Sequence, residues 1–457
     1  MRHFAWQWLA ASSLLLATFS ASAETRPQYG GTLRIAVRES LASLDPGDQL
    51  QPDSFARRNL LALIFETLVT VDDRGRIHSA LATEWQAAPG DQRWQFKIRR
   101  GVKFHDGSEL TPEIAASVLR MANPSWKVFS EEDFVIVERD HADSDVPAEL
   151  ALTRNSVVKK NGGGKLSGTG PFHVEDWQAG KHLTLGAEEN HWRGRAFVDA
   201  VDVEMGKNFH EQILGLESGK TDLVEVAPEQ SHRAAIEGIR ISSSQPMELI
   251  ALVFAKEAQT PDEKMRRLAL ARSIERGSMR SALLQGAGQP AACLLPNWIS
   301  GYGFTFSTDA DLKQARQVLQ QVHGAPNWTL GYDANDSLGR VLVERIALNA
   351  KDAGLVLQPT ATSIADARLV RIPLAKADPW IALENVAAAL GTILPKANGD
   401  SVEDLYSVEQ TLLKGGQVIP LFHLPAEWAL SPSLQDWRSG ADGSWRLDEV
   451  WMGKEKP

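Results

Sequence analysis

A single cysteine in a chain that opens with an export signal limits what can hold this fold together. Cys293 is the only cysteine, so no internal disulfide can form and stability has to come from a buried core. The signal is read from Arg2 and His3, the apolar run "FAWQWLAASSLLLATF" and the small residues "SASAE", with Ala21 and Ala23 at the spacing that signal peptidase cuts. Cleavage is expected after Ala23, giving a signal peptide over 1–23 and a mature chain over 24–457. Polar residues interrupt the run, and it is short against the roughly 20 residues of a bilayer span. No cysteine stands near the cut to carry a lipid, so the expected location is the periplasm of a Gram-negative cell.

A mature chain of this length can build two or three domains around separate cores. Lys and Arg number 48 against 58 Asp and Glu, with no long basic cluster. Such a chain gains nothing from counterion release on a polyanion, which argues against nucleic acid as a partner.

The mature chain alternates short periodic segments. Leu33, Ile35 and Val37 alternate with polar or small residues, a strand with one buried face, and Asp45-Pro46 makes a turn. Leu60, Leu61, Ile64 and Leu68 lie at helical spacing. In "WQFKIRRGVKFHDGSEL", from Trp94 to Leu110, Trp94, Phe96 and Ile98 begin a strand, and His105-Asp106-Gly107 makes a tight turn. Thr111 then suits an N-cap, with Pro112 and Glu113 in the first turn. From about 123 to 165 the pattern weakens into charged residues and an exposed loop. After Ser244, "MELIALVFAK" reads as a strongly apolar strand, and the segments from 261 to 360 alternate helix and strand. That is α/β grammar, a sheet covered by helices.

Candidate chemistry is sparse. His105 and Asp106 are neighbours at a turn and do not face each other as a catalytic dyad must, so a strand-to-helix corner is the better reading. "GLESGKT", Gly215 to Thr221, has three residues between its glycines where a phosphate loop needs four, and it follows a helix pattern. The 11 histidines are scattered, which predicts no dedicated metal site and no cofactor. Two stretches remain. "GTGPF" brings backbone close to a ligand or a packed element through Gly168, Thr169 and Gly170. Arg371, Asp378 and Trp380 combine a cation, an acid and an aromatic that could clamp a zwitterion, or could form a surface turn.

Taken in order, "GGTLRIAV" with "LDP", "LIFETLV", the 94–111 block, "SGTGPF", "NHWRG", "LESGKTDLVE", "MRRLALARSIERG" and "VIPLFH" resemble the extracellular solute-binding proteins of family 5, which serve peptide, dipeptide and nickel importers of the ATP-binding-cassette (ABC) type. The resemblance implies an α/β, two-lobed periplasmic binding protein, type II-like, with an extra subdomain in the first lobe and the ligand cleft between the lobes. The first-lobe core would be 24–54, 168–244 and 424–457. The extra subdomain, in a shortened form, would be 55–167, and the second lobe 245–423. By the same resemblance Asp378 matches an aspartate that pairs with a peptide's α-amino group, and Arg371 matches an upstream arginine that meets a carboxylate, one residue further away than the pattern has it. The expected ligand is a small peptide and the expected partner an inner-membrane ABC permease, with the protein acting as a monomer and not as an enzyme. A nickel chelate, haem or another solute is the alternative ligand, and a secreted hydrolase the alternative class.

Overall fold

The computed structural model describes residues 26–453, apart from 49, 52, 73, 163, 305, 325–326, 363, 375–377 and 398. The expected signal peptide lies outside the described residues.

Two long antiparallel strands, Arg240–Phe254 and Val418–Leu430, run side by side and tie two lobes together. Near one end, Leu430 and Trp428 pair with Leu223 and Glu225, joining the first-lobe strands Leu223–Glu225, Thr32–Ala36 and Ala200–Glu204, then the hairpin Phe172–Gln178/His182–Ala187. Toward the other end, Glu248 to Phe254 pair with the strand Ala367–Pro373, which continues into the parallel strands Asn327–Gly331 and Val356–Thr360 of the second lobe. Between the two ends the register slips on both sides of a facing pair of prolines, Pro246 and Pro425. Proline cannot donate to a ladder, so the pairing is weakest where the chains pass from one lobe to the other.

Period-two alternation explains why the apolar run of the first crossing strand needs cover on both faces. Ile250, Leu252 and Phe254 pack with Leu270, Leu342 and Ile346 on one side. Leu249, Ala251 and Val253 pack with Ile381, Val386 and Leu405 on the other. The tail returns to the first lobe, where Leu434, Trp445, Leu447 and Val450 join its core.

The helix Phe55–Ile64, capped by Ser54, places Ala56, Leu60, Leu61 and Ile64 in that same first-lobe core. The separate unit therefore begins after it. Its four-stranded antiparallel sheet is built from Ala82–Ala87, Arg93–Ile98, Phe134–Glu138 and Lys127–Glu131, with the helix Pro112–Ala122 against it. The weakly patterned 123–165 stretch supplies two of those strands as a hairpin, together with the helix Val146–Leu150.

The corner at His105-Asp106 and the "GTGPF" turn meet each other. His105 N–H donates to the Gly168 carbonyl (2.9 Å) and its ring lies 3.0 Å from the Gly170 carbonyl. Asp106 turns away to Lys159 (2.7 Å), so the two side chains form no dyad. Gly168 and Gly170 sit so close to the end of the helix Phe55–Ile64 that a Cβ on either would overlap the carbonyl of Ile64 or Leu63.

Candidate functional site: the cleft between the lobes

A cleft of about 790 Å³ opens between the lobes beside the crossing strands. Arg38, Glu39 and the start of the helix Phe55–Ile64 line its first-lobe wall; Asp336, Leu369 and Arg371 line the second-lobe wall. Pro425 to Trp428 of the second crossing strand lie between them. Several groups reach it from strand ends, where open α/β sheets hold their ligands. Glu39 follows Thr32–Ala36, and Glu225 closes Leu223–Glu225.

Arg371 stands on the wall, but its charge is taken up. It donates to Glu248 (2.6 and 3.1 Å) and lies 3.6 Å from Asp336. Burial works against its charge, yet Glu248, Asp336 and Glu229 outweigh burial and hold it protonated. Opposite it, burial and the neighbouring Glu225 carboxylate push Glu39 up to about 7. Burial also raises Glu225, Glu229 and Glu427.

A smaller cavity of about 370 Å³ lies between the four-stranded unit and the second lobe. Trp126, Asp145 and Glu149 face Trp380, Glu384 and Asp400 across it. Burial and the approach of Asp378 push Asp145 up to about 6. Asp378 itself is the N-cap of the helix Pro379–Ala389, its carboxylate accepting from Ile381 N–H (2.9 Å). Burial raises its pKa, and Asp400 and Glu149 add to the shift.

The expected site residues are thus dispersed. Arg371 lines the main cleft, Trp380 the smaller cavity, and Asp378 caps a helix without lining either; residues 375–377, which join them, lie outside the described residues. Gly168, Thr169 and Gly170 line neither cavity: the glycines pack on the helix end, and Thr169 is buried with its hydroxyl on Glu66 (2.9 Å). The acids Glu39, Glu225 and Glu427 escaped the sequence reading because each comes from a separate segment. The place of Glu39 and Glu225 at or beside strand ends was the one available signal, and Glu427, inside the strand Val418–Leu430, offered none.

This architecture, two lobes on crossing strands with a cleft between them, is that of the two-lobed periplasmic binding proteins. The profile of the bacterial extracellular solute-binding proteins, family 5, matches residues 76–367, and the chain belongs to that family. Among curated relatives, it is 22% identical over 335 residues to the oligopeptide-binding protein AppA of Bacillus subtilis, covering 65% of this chain and 60% of AppA. It is 20% identical over 311 residues to the nickel-binding protein NikA of Staphylococcus aureus, covering 64% and 63%. The chain thus spans about three fifths of the length of these relatives. Among solved structures, the dipeptide-binding protein of Pseudoalteromonas sp. SM9913 with Met-Leu superposes with a TM-score of 0.80 at 14% identity, covering 92% of this chain and 100% of that one. NikA of S. aureus with Ni(L-His)2 gives 0.77 at 16%, covering 92% and 99%. At these identities the structures speak for the fold.

Proposed function

We propose that this is the periplasmic substrate-binding component of an ABC importer, which captures a small peptide by closing its lobes and delivers it to a membrane permease. The observation that carries this reading is the cleft itself, bounded by both lobes and by the crossing strands whose pairing slips at Pro246 and Pro425. A slip in a two-strand connection lets a few residues absorb a hinge rotation, and a ligand touching both walls favours the closed form. Extended segments along the cleft offer main-chain donors and acceptors to a peptide backbone. Asp378 is the proposed anchor for the α-amino group: its raised pKa marks a carboxylate that an ammonium would stabilise. Relatives bearing peptide- and nickel-binding names support both solute classes; the peptide is favoured by Asp378.

A thermal-shift screen of residues 24–457 against di- to pentapeptides, nickel with histidine, and haem tests this. A ligand at about 100 times its dissociation constant adds roughly 2.7 kcal/mol of stability. A peptide shift that Asp378→Ala abolishes supports the reading. A shift with the chelate or haem alone discards the peptide, and hydrolysis of a peptide during incubation would move the protein to the enzyme class.

A further inference from the structure

Two arginines line the cleft, one on each wall, and their surroundings are opposite. Arg371, on the second lobe, has all three guanidinium nitrogens on carboxylates. Its Nε and Nη2 donate to Glu248 (3.1 and 2.6 Å), and its Nη1 lies 3.6 Å from Asp336. Asp336 is itself fixed as the cap of the helix Ser337–Ala353, and the Glu248 side chain is only 13% exposed. A solute carboxylate reaching for Arg371 would have to displace one of these acids or lie against both. Stripping the cation from a largely buried carboxylate costs more than a new pair at the cleft surface returns.

Arg38, on the first lobe, follows the strand Thr32–Ala36, and its side chain is exposed. The acids that line the cleft beside it are engaged by other groups. Asp53 is held by Arg58 (2.8 Å), and Glu39 accepts from the Ser54 hydroxyl. Glu225 accepts from the backbone N–H of Arg38 (2.6 Å) and from the Gln212 side chain (3.4 Å). The Arg38 charge favours the ionised forms of Glu39, Glu225 and Glu229 at longer range. Among the described residues, however, its guanidinium forms no ion pair; it lies over the ring of Phe209, 5.1 Å from the centre. Phe209 lines the cleft as well. A ring beneath a guanidinium orients it without neutralising it, which leaves the N–H donors of Arg38 to a solute.

We propose that Arg38, and not Arg371, receives the ligand's carboxylate, so that the C-terminal end of a peptide rests on the first lobe while its amino end is drawn to Asp378 of the second. This rests on the peptide-capture reading and deepens it. A guanidinium and a carboxylate match as a two-bond fork, and a ligand whose ends are held by opposite lobes favours the closed form. Arg371 is then a positioning residue. It braces the second-lobe wall by tying together the strands Arg240–Phe254 and Ala367–Pro373 and the helix Ser337–Ala353.

Isothermal titration calorimetry of residues 24–457 with di-, tri- and tetra-alanine, each as free acid and as C-terminal amide, tests it. At every length that binds, the free acid should be about ten-fold tighter than its amide. Arg38→Gln should bring that ratio to within about two-fold, and Arg38→Lys should retain part of it. Arg371→Gln should keep the ratio, even where loss of the brace weakens both forms. A purely structural role for Arg38 would weaken acid and amide alike and leave the ratio standing. Circular dichroism checks that each variant folds. If acid and amide bind equally to the parent protein, or if the preference survives Arg38→Gln, the assignment of Arg38 is overturned and peptide capture stands. If no peptide binds in either form, both are overturned.

Discussion

Glu409 and Glu427 are both carboxylates inside the protein, and they are treated in opposite ways. Glu409, in the second lobe, is completely buried. It accepts from Leu294 N–H, from Leu295 N–H (3.3 Å) and from the Tyr302 hydroxyl (2.6 Å), so both oxygens are occupied. Glu427, on the cleft wall, has one oxygen satisfied by Ser243 and one with no partner. The first is a fixture that ties the segment 294–302 to the helix Val402–Lys414. The second keeps one oxygen without a hydrogen bond among the described residues, beside the Ser231 hydroxyl. A buried polar network that is complete rigidifies its surroundings, and one that is incomplete carries a cost until it is filled. Substitutions in the frame should therefore cost stability and spare ligand binding, and substitutions on the cleft wall should do the reverse.

The largest effect is expected at Glu409. Glu409→Ala strands the Tyr302 hydroxyl and two backbone N–H groups in the core, a loss of roughly 3 kcal/mol or more in urea unfolding. A smaller loss would break the contrast. Gly168→Ala forces a methyl onto the Ile64 carbonyl and should cost about 2 kcal/mol, with ligand affinity unchanged once the protein is folded. Asp378→Ala removes a helix cap, worth about 1 kcal/mol. It also tests a double duty: a stability loss alone makes Asp378 part of the frame, and a loss of peptide affinity besides makes it part of the site. Glu427→Gln should leave the unliganded protein as stable as before or more so, within about 1 kcal/mol. The subtlest prediction concerns pH. Glu39 is pushed up to about 7 from an ordinary 4.5, so the folded state keeps its proton where the unfolded chain has released it. Its contribution is intact below 4.5 and is lost as pH rises through about 7. Glu39→Gln should thus gain stability relative to the parent protein between about pH 5 and pH 8, read as the difference in their urea midpoints.

The parts that were legible from the amino acids are those governed by local rules. Thr111 does cap the helix Pro112–Ala122, and the alternation in "WQFKI" does make a strand, because capping and period-two burial act within a few residues. The run 249–254 reads as a strand covered on both faces for the same reason. The hairpin of Lys127–Glu131 and Phe134–Glu138 was obscured by its charges. What fixes it is a distant partner: Phe96 pairs with Val135, across a stretch that contains a whole helix. The site was the least legible part. Arg371, Asp378 and Trp380 look like one cluster when written in a row, yet a strand end, a helix cap and a cavity wall divide them. Glu39, Glu225 and Glu427 look unrelated and come together only through the sheet order that places Thr32–Ala36, Leu223–Glu225 and Val418–Leu430 side by side.

Hydrogen–deuterium exchange of residues 24–457 with and without the peptide that gives the largest thermal shift tests most directly whether the cleft between the lobes is the ligand site. The account predicts slowed exchange in the segments around Glu39, Val226, Leu369 and Ala426, drawn from both walls and from the crossing strand, with any protection beside the proposed anchor Asp378, at Asp145 and Glu384, accompanying it and not replacing it. Protection confined to those last two segments, around the smaller cavity, would contradict it.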